Sequence, residues 1–116
     1  MKEIFKTIRN FPNYEVSNTG KIRNIKKNKM LQPHKTTNDA LQITFCTKGT
    51  KKQRLVSRIV VENFMNTNLS SENVVYHIDR NKENNSISNL QIWENISLLK
   101  EYLLTSGITT NPAYLK

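Results

Sequence analysis

The sequence predicts an α+β domain, a strand-rich first half and a second half that carries the helices, on three observations. The first half carries short runs in which apolar and polar residues alternate, separated by Asn, Gly, Pro and Lys. The second half carries apolar residues at helical spacing, Val60 with Phe64, Val61 with Met65, and the stripe Ile96, Leu99, Tyr102/Leu103. At 116 residues the chain holds one modest hydrophobic core and no second one.

The elements follow in order. Residues 3–9 alternate weakly, Phe11-Pro12-Asn13 interrupts them, and Tyr14-Glu15-Val16-Ser17 runs into the turn Asn18-Thr19-Gly20 before Lys21-Ile22-Arg23-Asn24-Ile25 alternates again, the pattern of a hairpin. Lys26-Lys27-Asn28-Lys29 makes a polar turn, Met30-Leu31-Gln32 a short strand, and residues 41–46 a clearer strand, closed by Lys48-Gly49-Thr50 and answered by Arg54-Leu55-Val56. Together these give a small antiparallel sheet with lysine-rich turns. Ser57 is the expected N-cap of a helix that packs on that sheet. Residues 66–73 form a loop, 74–78 a buried strand and 79–85 a polar loop, and Gly107 is expected to end the last helix, leaving a tail without periodicity.

Composition narrows the function. No apolar run is long enough for a membrane span, and the lysines of the N-terminus are not followed by the apolar segment of a secretory signal, so a cytoplasmic or nuclear location is expected. One cysteine, Cys46, permits neither an internal disulfide nor a cysteine-based zinc site, and no zinc is expected. The formal charge of +9 points to a polyanion. It is unevenly placed: residues 1–58 carry 14 Lys and Arg against three acids, net +11, whereas residues 59–116 carry four against six, net −2. The phosphate-binding residues expected from this asymmetry are Lys21, Arg23, Lys26, Lys27, Lys29, Lys51, Lys52 and Arg54. His34, behind Pro33, reads as a surface or phosphate-contacting residue, Trp93 as core, and Cys46 as a strand residue packed within its sheet.

Two stretches resemble known families. Residues 14–23, YEVSNTGKIR, are similar to the "YEVSNxGxVR" motif of the NUMOD-type modules at the front of phage and intron-encoded homing endonucleases. Residues 75–90, VYHIDRNKENNSISNL, resemble the HNH nuclease core "VxHIDGxKxNNxxxNLxW", and residues 58–64 resemble its preceding "HRLVAxAF" helix. The resemblance spans residues 3–100 and implies a small N-terminal antiparallel sheet module, 1–56, fused to a ββα-metal (HNH) core, 57–105, with a tail at 106–116, all one compact unit.

The resemblance also implies a chemistry. Phosphodiester hydrolysis needs a base for water, and histidine suits proton abstraction near neutrality. By the HNH pattern His77 is that base, and Asn84 and Asn89 match the family's two asparagines, of which such a residue holds the histidine ring by a hydrogen bond. The family's divalent ion, Mg²⁺ or Mn²⁺, would sit among Asp79, Asn89 and Asn95. The chain departs from the pattern at that ion. Tyr76 stands where the family has an Asp, Asn or His ligand, position 98, the place of a second asparagine ligand, is leucine, and Ser57-Arg58 replaces His-Arg at the helix start. Asp79, two residues beyond His77, is a substitute carboxylate. Two readings follow: a metal-dependent nuclease that nicks or cuts double-stranded DNA, of phage or viral type, or a DNA-binding or protein-interaction module with a lapsed catalytic centre, acting as a regulator, packaging factor or inhibitor. A second copy or a protein partner is compatible with either.

Overall fold

The computed structural model describes residues 2–106; the expected helix stop at Gly107 and the rest of the tail lie outside them. Strands β1 (Phe5–Ile8), β2 (Phe11–Ser17), β3 (Ile22–Asn24) and β4 (Lys29–Leu31) form an antiparallel meander in that order. Strands β5 (His34–Lys35), β6 (Leu41–Thr47) and β7 (Thr50–Leu55) form a second antiparallel sheet. The expected single N-terminal sheet is thus two, because residues 31–34, with Pro33 among them, carry the chain from the edge of one to the edge of the other. Helix α1 (Val56–Phe64) comes next, then strands β8 (Val74–His77) and β9 (Leu90–Trp93), and helix α2 (Ile96–Thr105) closes a ββα unit.

The turns follow side-chain chemistry. Asn10, Asn28 and Asp39 take positive φ in the loops between strands, a conformation that Asn and Asp tolerate better than most residues. Lys48 and Gly49 both have positive φ (48° and 79°), the arrangement of a two-residue hairpin whose twist matches its strands, and Thr47 pairs with Thr50 across it.

Alternation then places the core. Ile43 and Phe45 of β6 are buried, as are Val16 and Ile22, which face each other across β2 and β3. Phe45 stacks on Phe11 with ring centroids 4.3 Å apart and takes Tyr14 edge-on at 4.8 Å, tying the two sheets together. Helix α1 lays Val56, Ile59, Val60 and Val61 on this cluster, which also receives Leu90 and the partly buried Val75 and Ile87 from the second half. Cys46 lies in β6 as expected but is exposed.

Helix α1 starts two residues earlier than expected. Leu55 is its N-cap, without a side-chain cap bond, and Ser57 is buried inside the first turn, because β7 passes straight into the helix. A second, smaller cluster joins Tyr76 of β8 to Leu99 and Leu103 of α2, with Val74, Trp93 and Ile96 against it. Trp93 is half-buried there, its ring 4.9 Å from that of Tyr102.

Candidate active site and nucleic-acid surface

Strand β8 has two different faces. Successive side chains on a strand point to opposite sides, so Val74 and Tyr76 enter the α2 cluster while Val75 packs on the main core. His77, on the Val75 side, is 5% exposed, and its Nε2 lies 2.8 Å from Oδ1 of Asn85, itself 3% exposed. A carbonyl oxygen only accepts, so the ring nitrogen facing it carries the proton and the imidazole's basic lone pair belongs to Nδ1. Burial pushes the His77 pKa down. The Asn85 hydrogen bond and the Asp79 charge oppose that shift, and the Lys82 charge adds to it. The result is a neutral imidazole at pH 7, the form a general base requires.

Asn85 was not the expected partner. The loop after His77 is built from side-chain turns in which Asp79 Oδ1 accepts from the Asn81 amide at 2.8 Å, Asn81 Oδ1 from the Glu83 amide at 3.0 Å, and Asn84 Oδ1 from the Ser86 amide at 3.4 Å. Asn84 Nδ2 donates to Asp79 Oδ2, and Asn89 Nδ2 to Asp79 Oδ1, both at 2.8 Å. The side chains of Asn84 and Asn89 therefore close the loop on Asp79, and the asparagine between them in sequence turns inward to the ring. A readable signal did exist: the spacing Asp79, Asn81, Asn84 occupies the turn positions and leaves Asn85 without a turn to make.

The same bonds, from Asn84 first, then the Asn81 amide and Asn89, hold the Asp79 carboxyl below its ordinary pKa. Asn95 lies apart, at the N-cap of α2, its Oδ1 accepting from the Leu98 amide at 2.9 Å. The expected ligands are thus engaged in loop closure and capping, and Tyr76 is 4% exposed among leucines. No three His, Cys, Asp or Glu residues come together as a metal-binding group among the described residues. This donor set does not fit a preformed divalent-cation site.

Beside His77 opens a cleft of about 560 Å³ whose walls include Asn38, Gln42, Arg58, Lys82 and Leu99. Arg58 is held by the carbonyls of Asn73 (2.9 Å) and Ser70 (2.7 Å), so this residue of the altered helix start anchors the approach to β8. Lys82 donates to the Asn38 carbonyl at 2.8 Å, and its partial burial lowers its pKa. Lys35 pairs with Glu83 at 3.1 Å, a second link between the β5–β6 region and the loop.

The expected phosphate-binding residues divide by environment. Lys26 and Lys27 stand exposed on the β3–β4 turn, Lys29 exposed at the start of β4, and Lys51, Lys52 and Arg54 on exposed β7. Lys21 lies 3.8 Å from Glu3. Arg23 is the exception: it ion-pairs with Glu15, its partner across β2 and β3, and covers the Phe5 ring at 4.2 Å. His34 is exposed, with Nε2 3.0 Å from Gln42 Oε1.

Comparison with known proteins agrees with this geometry. Residues 3–46 match the NUMOD4 motif. An HNH endonuclease of Acanthamoeba polyphaga mimivirus, L245, is 42% identical over 98 residues, 84% of this chain and 29% of its own length. The H-N-H endonuclease F-TflII of Escherichia phage T5 is 34% identical over 91 residues, 78% of this chain and 47% of its own. The chain thus spans less than half the length of these curated relatives. A solved structure of DNA binding and cleavage by the HNH homing endonuclease I-HmuI superposes with a TM-score of 0.77 at 27% identity, covering 93% of this chain and 62% of that one. Residues 3–46 thus carry the NUMOD4 motif, and over most of its length the chain is similar in sequence to HNH endonucleases and in fold to an HNH homing endonuclease.

Proposed function

We propose that the chain is a DNA-binding protein that presents His77 as general base to a phosphodiester of double-stranded DNA, producing a nick or a cut. The observation that carries this reading is the buried hydrogen bond between His77 and Asn85. It fixes the tautomer and orientation of a neutral imidazole at the edge of a cleft that also holds Arg58 and Lys82. In that reading Nδ1 takes the proton of the attacking water. Lys82, partly desolvated beside His77, opposes the charge of the phosphate, and the loop closed on Asp79 keeps the base from turning away. The exposed lysines of the β3–β4 turn and of β7 hold the DNA backbone. The viral and phage relatives suggest a virus or phage genome as the setting, inside the infected cell.

A second reading, binding without cutting, is favoured by one observation. The family uses divalent metal ions, and here the position of its first ligand is a tyrosine buried in an apolar cluster. On that reading the chain acts as a regulator, a packaging factor or an inhibitor of other proteins' work on DNA.

A supercoiled-plasmid assay in Mg²⁺ and in Mn²⁺ separates the two. Nicking that His77→Ala abolishes supports the enzyme. Retained DNA binding with no nicking in either metal overturns it in favour of the module.

A further inference from the structure

We infer that the Asn18-Thr19-Gly20 turn of the N-terminal sheet positions His77 by holding Asn85, with Gly20 as the positioning residue, so that the two sequence motifs form one device. The inference rests on the proposed role of His77 for its consequence in catalysis, but the contact it describes is read from geometry alone.

Gly20 has φ +94°, and a Cβ built on it would lie 2.9 Å from the Cβ of Asn85 and 3.3 Å from its carbonyl oxygen. Hydrogen in place of a side chain is what lets the turn close on Asn85 at the base of its side chain, where no rotamer change gives relief. Two residues along each segment, the Ile87 amide donates to the Asn18 carbonyl at 2.8 Å. The turn therefore grips the 85–87 segment at two points.

The turn is itself held from behind. Ser17 is fully buried, and its Oγ accepts from the amides of Thr19 (3.2 Å) and Lys21 (3.0 Å). Asn18 accepts from the Ile4 amide and donates to the Lys2 carbonyl, each at 3.0 Å, pinning the turn to the chain before β1. A fixed turn against Asn85 sets where its Cβ stands, and from there the side-chain Oδ1 meets His77 Nε2 at 2.8 Å. Motif residues otherwise explained as a strand-turn-strand signal thus gain a second role.

The test is the imidazole itself, read by ¹H–¹⁵N NMR of the full chain without DNA. Wild type is expected to show a slowly exchanging His77 Nε2–H and the ¹⁵N shifts of the Nε2–H tautomer, and Asn85→Ala to lose both. Gly20→Ala is expected to behave as Asn85→Ala does. Gly49→Ala supplies the control, since Gly49 also has positive φ (+79°) but nothing lies within 4 Å of an added Cβ, so it carries the backbone strain without the contact. A folded Gly20→Ala whose His77 resonances match those of Gly49→Ala overturns the inference. Should Gly20→Ala fail to fold, Ile87→Pro decides: it removes the amide that reaches Asn18 at a position after extended Ser86, where proline is tolerated. Unchanged His77 resonances there overturn the inference, and loss of the Nε2–H supports it. Nicking of plasmid is scored separately, so a protein that never cuts DNA still answers the question of positioning.

Discussion

Asp79 and Asn89 hydrogen-bond in both directions: the Asp79 amide donates to Asn89 Oδ1 at 3.0 Å, and Asn89 Nδ2 returns a bond to Asp79 Oδ1 at 2.8 Å. Ten residues of chain are closed by this pair, and with Asn84 bound to the other carboxylate oxygen the loop has a single hub. The hub lies two residues past His77 and six before Asn85, so its integrity sets where Asn85 can be.

That hub is an acid-sensitive element. The Asp79 carboxyl titrates below its ordinary 3.8 because its hydrogen bonds favour the ionised form. Its contribution is therefore complete above that value and is lost as pH falls through the lowered folded one. Asp79→Ala is expected to lower the urea midpoint at pH 7, and the midpoints of wild type and variant to converge on strong acidification. A gap that persists undiminished at the lowest pH where both fold would show that the carboxylate's charge is not what closes the loop.

His77 titrates in a higher window. The unfolded chain takes up this proton near the ordinary 6.5, the folded chain only at lower pH, since burial disfavours the cation. Between the two values the unfolded state holds more protons, so stability rises with pH and falls on acidification by about 1.4 kcal/mol per unit at most. Wild type is expected to lose more stability between pH 7 and pH 5 than His77→Gln, which has no such proton to take up. Equal losses, measured by denaturant unfolding at both pH values, would refute the lowered pKa.

Much of this architecture was legible in the sequence, and the gaps have physical causes. Alternation exposed β2, β3 and β6, where one face is buried, but β7 hides its role because residues 50–54 are all exposed and no apolar period marks them. Strand β5 is two exposed residues, too short for any pattern. Helix α1 was visible from Val60 and Phe64, though its first residue was not, since a helix entered directly from a strand needs no capping side chain. At the site, His77 stood out by motif, whereas Asn85 was masked by two asparagines at better-known spacings. Contacts such as Gly20 against Asn85 join positions 65 residues apart and leave no local trace.

Charge at the surface gives a prediction that discriminates among the basic residues. Lys26, Lys27 and Lys29 are exposed, whereas Arg23 is committed to Glu15 and Phe5. Each lysine that neutralises a phosphate contributes about 0.9 to the slope of log affinity against log salt. Replacing the three by glutamine is expected to make the slope shallower by up to about 3, and an unchanged slope would remove this turn from the interface. Arg23→Ala is expected to leave the slope nearly as it was while lowering stability by about 1 kcal/mol, the scale of a partly exposed ion pair with an aromatic contact.

The last prediction concerns the missing metal ligands. Tyr76→Asp by itself places a carboxylate against Leu99 and Leu103, where an unpaired charge is expected to cost about 3–5 kcal/mol and to titrate upward rather than bind a cation. Position 98 is different: Leu98 is 40% exposed on the first turn of α2, so an asparagine is tolerated there. The double variant Tyr76→Asp, Leu98→Asn supplies both ligand types that the family pattern has at these places, and a bound cation offsets the buried charge. Calorimetry with Mn²⁺ is expected to detect binding to the double variant and none to Tyr76→Asp, and its melting temperature is expected to rise with added Mn²⁺. Nicking that increases in the double variant and disappears with His77→Ala would show that the base is intact and that the ligands alone were lost. Metal binding without any gain in nicking would instead place a further defect at the base.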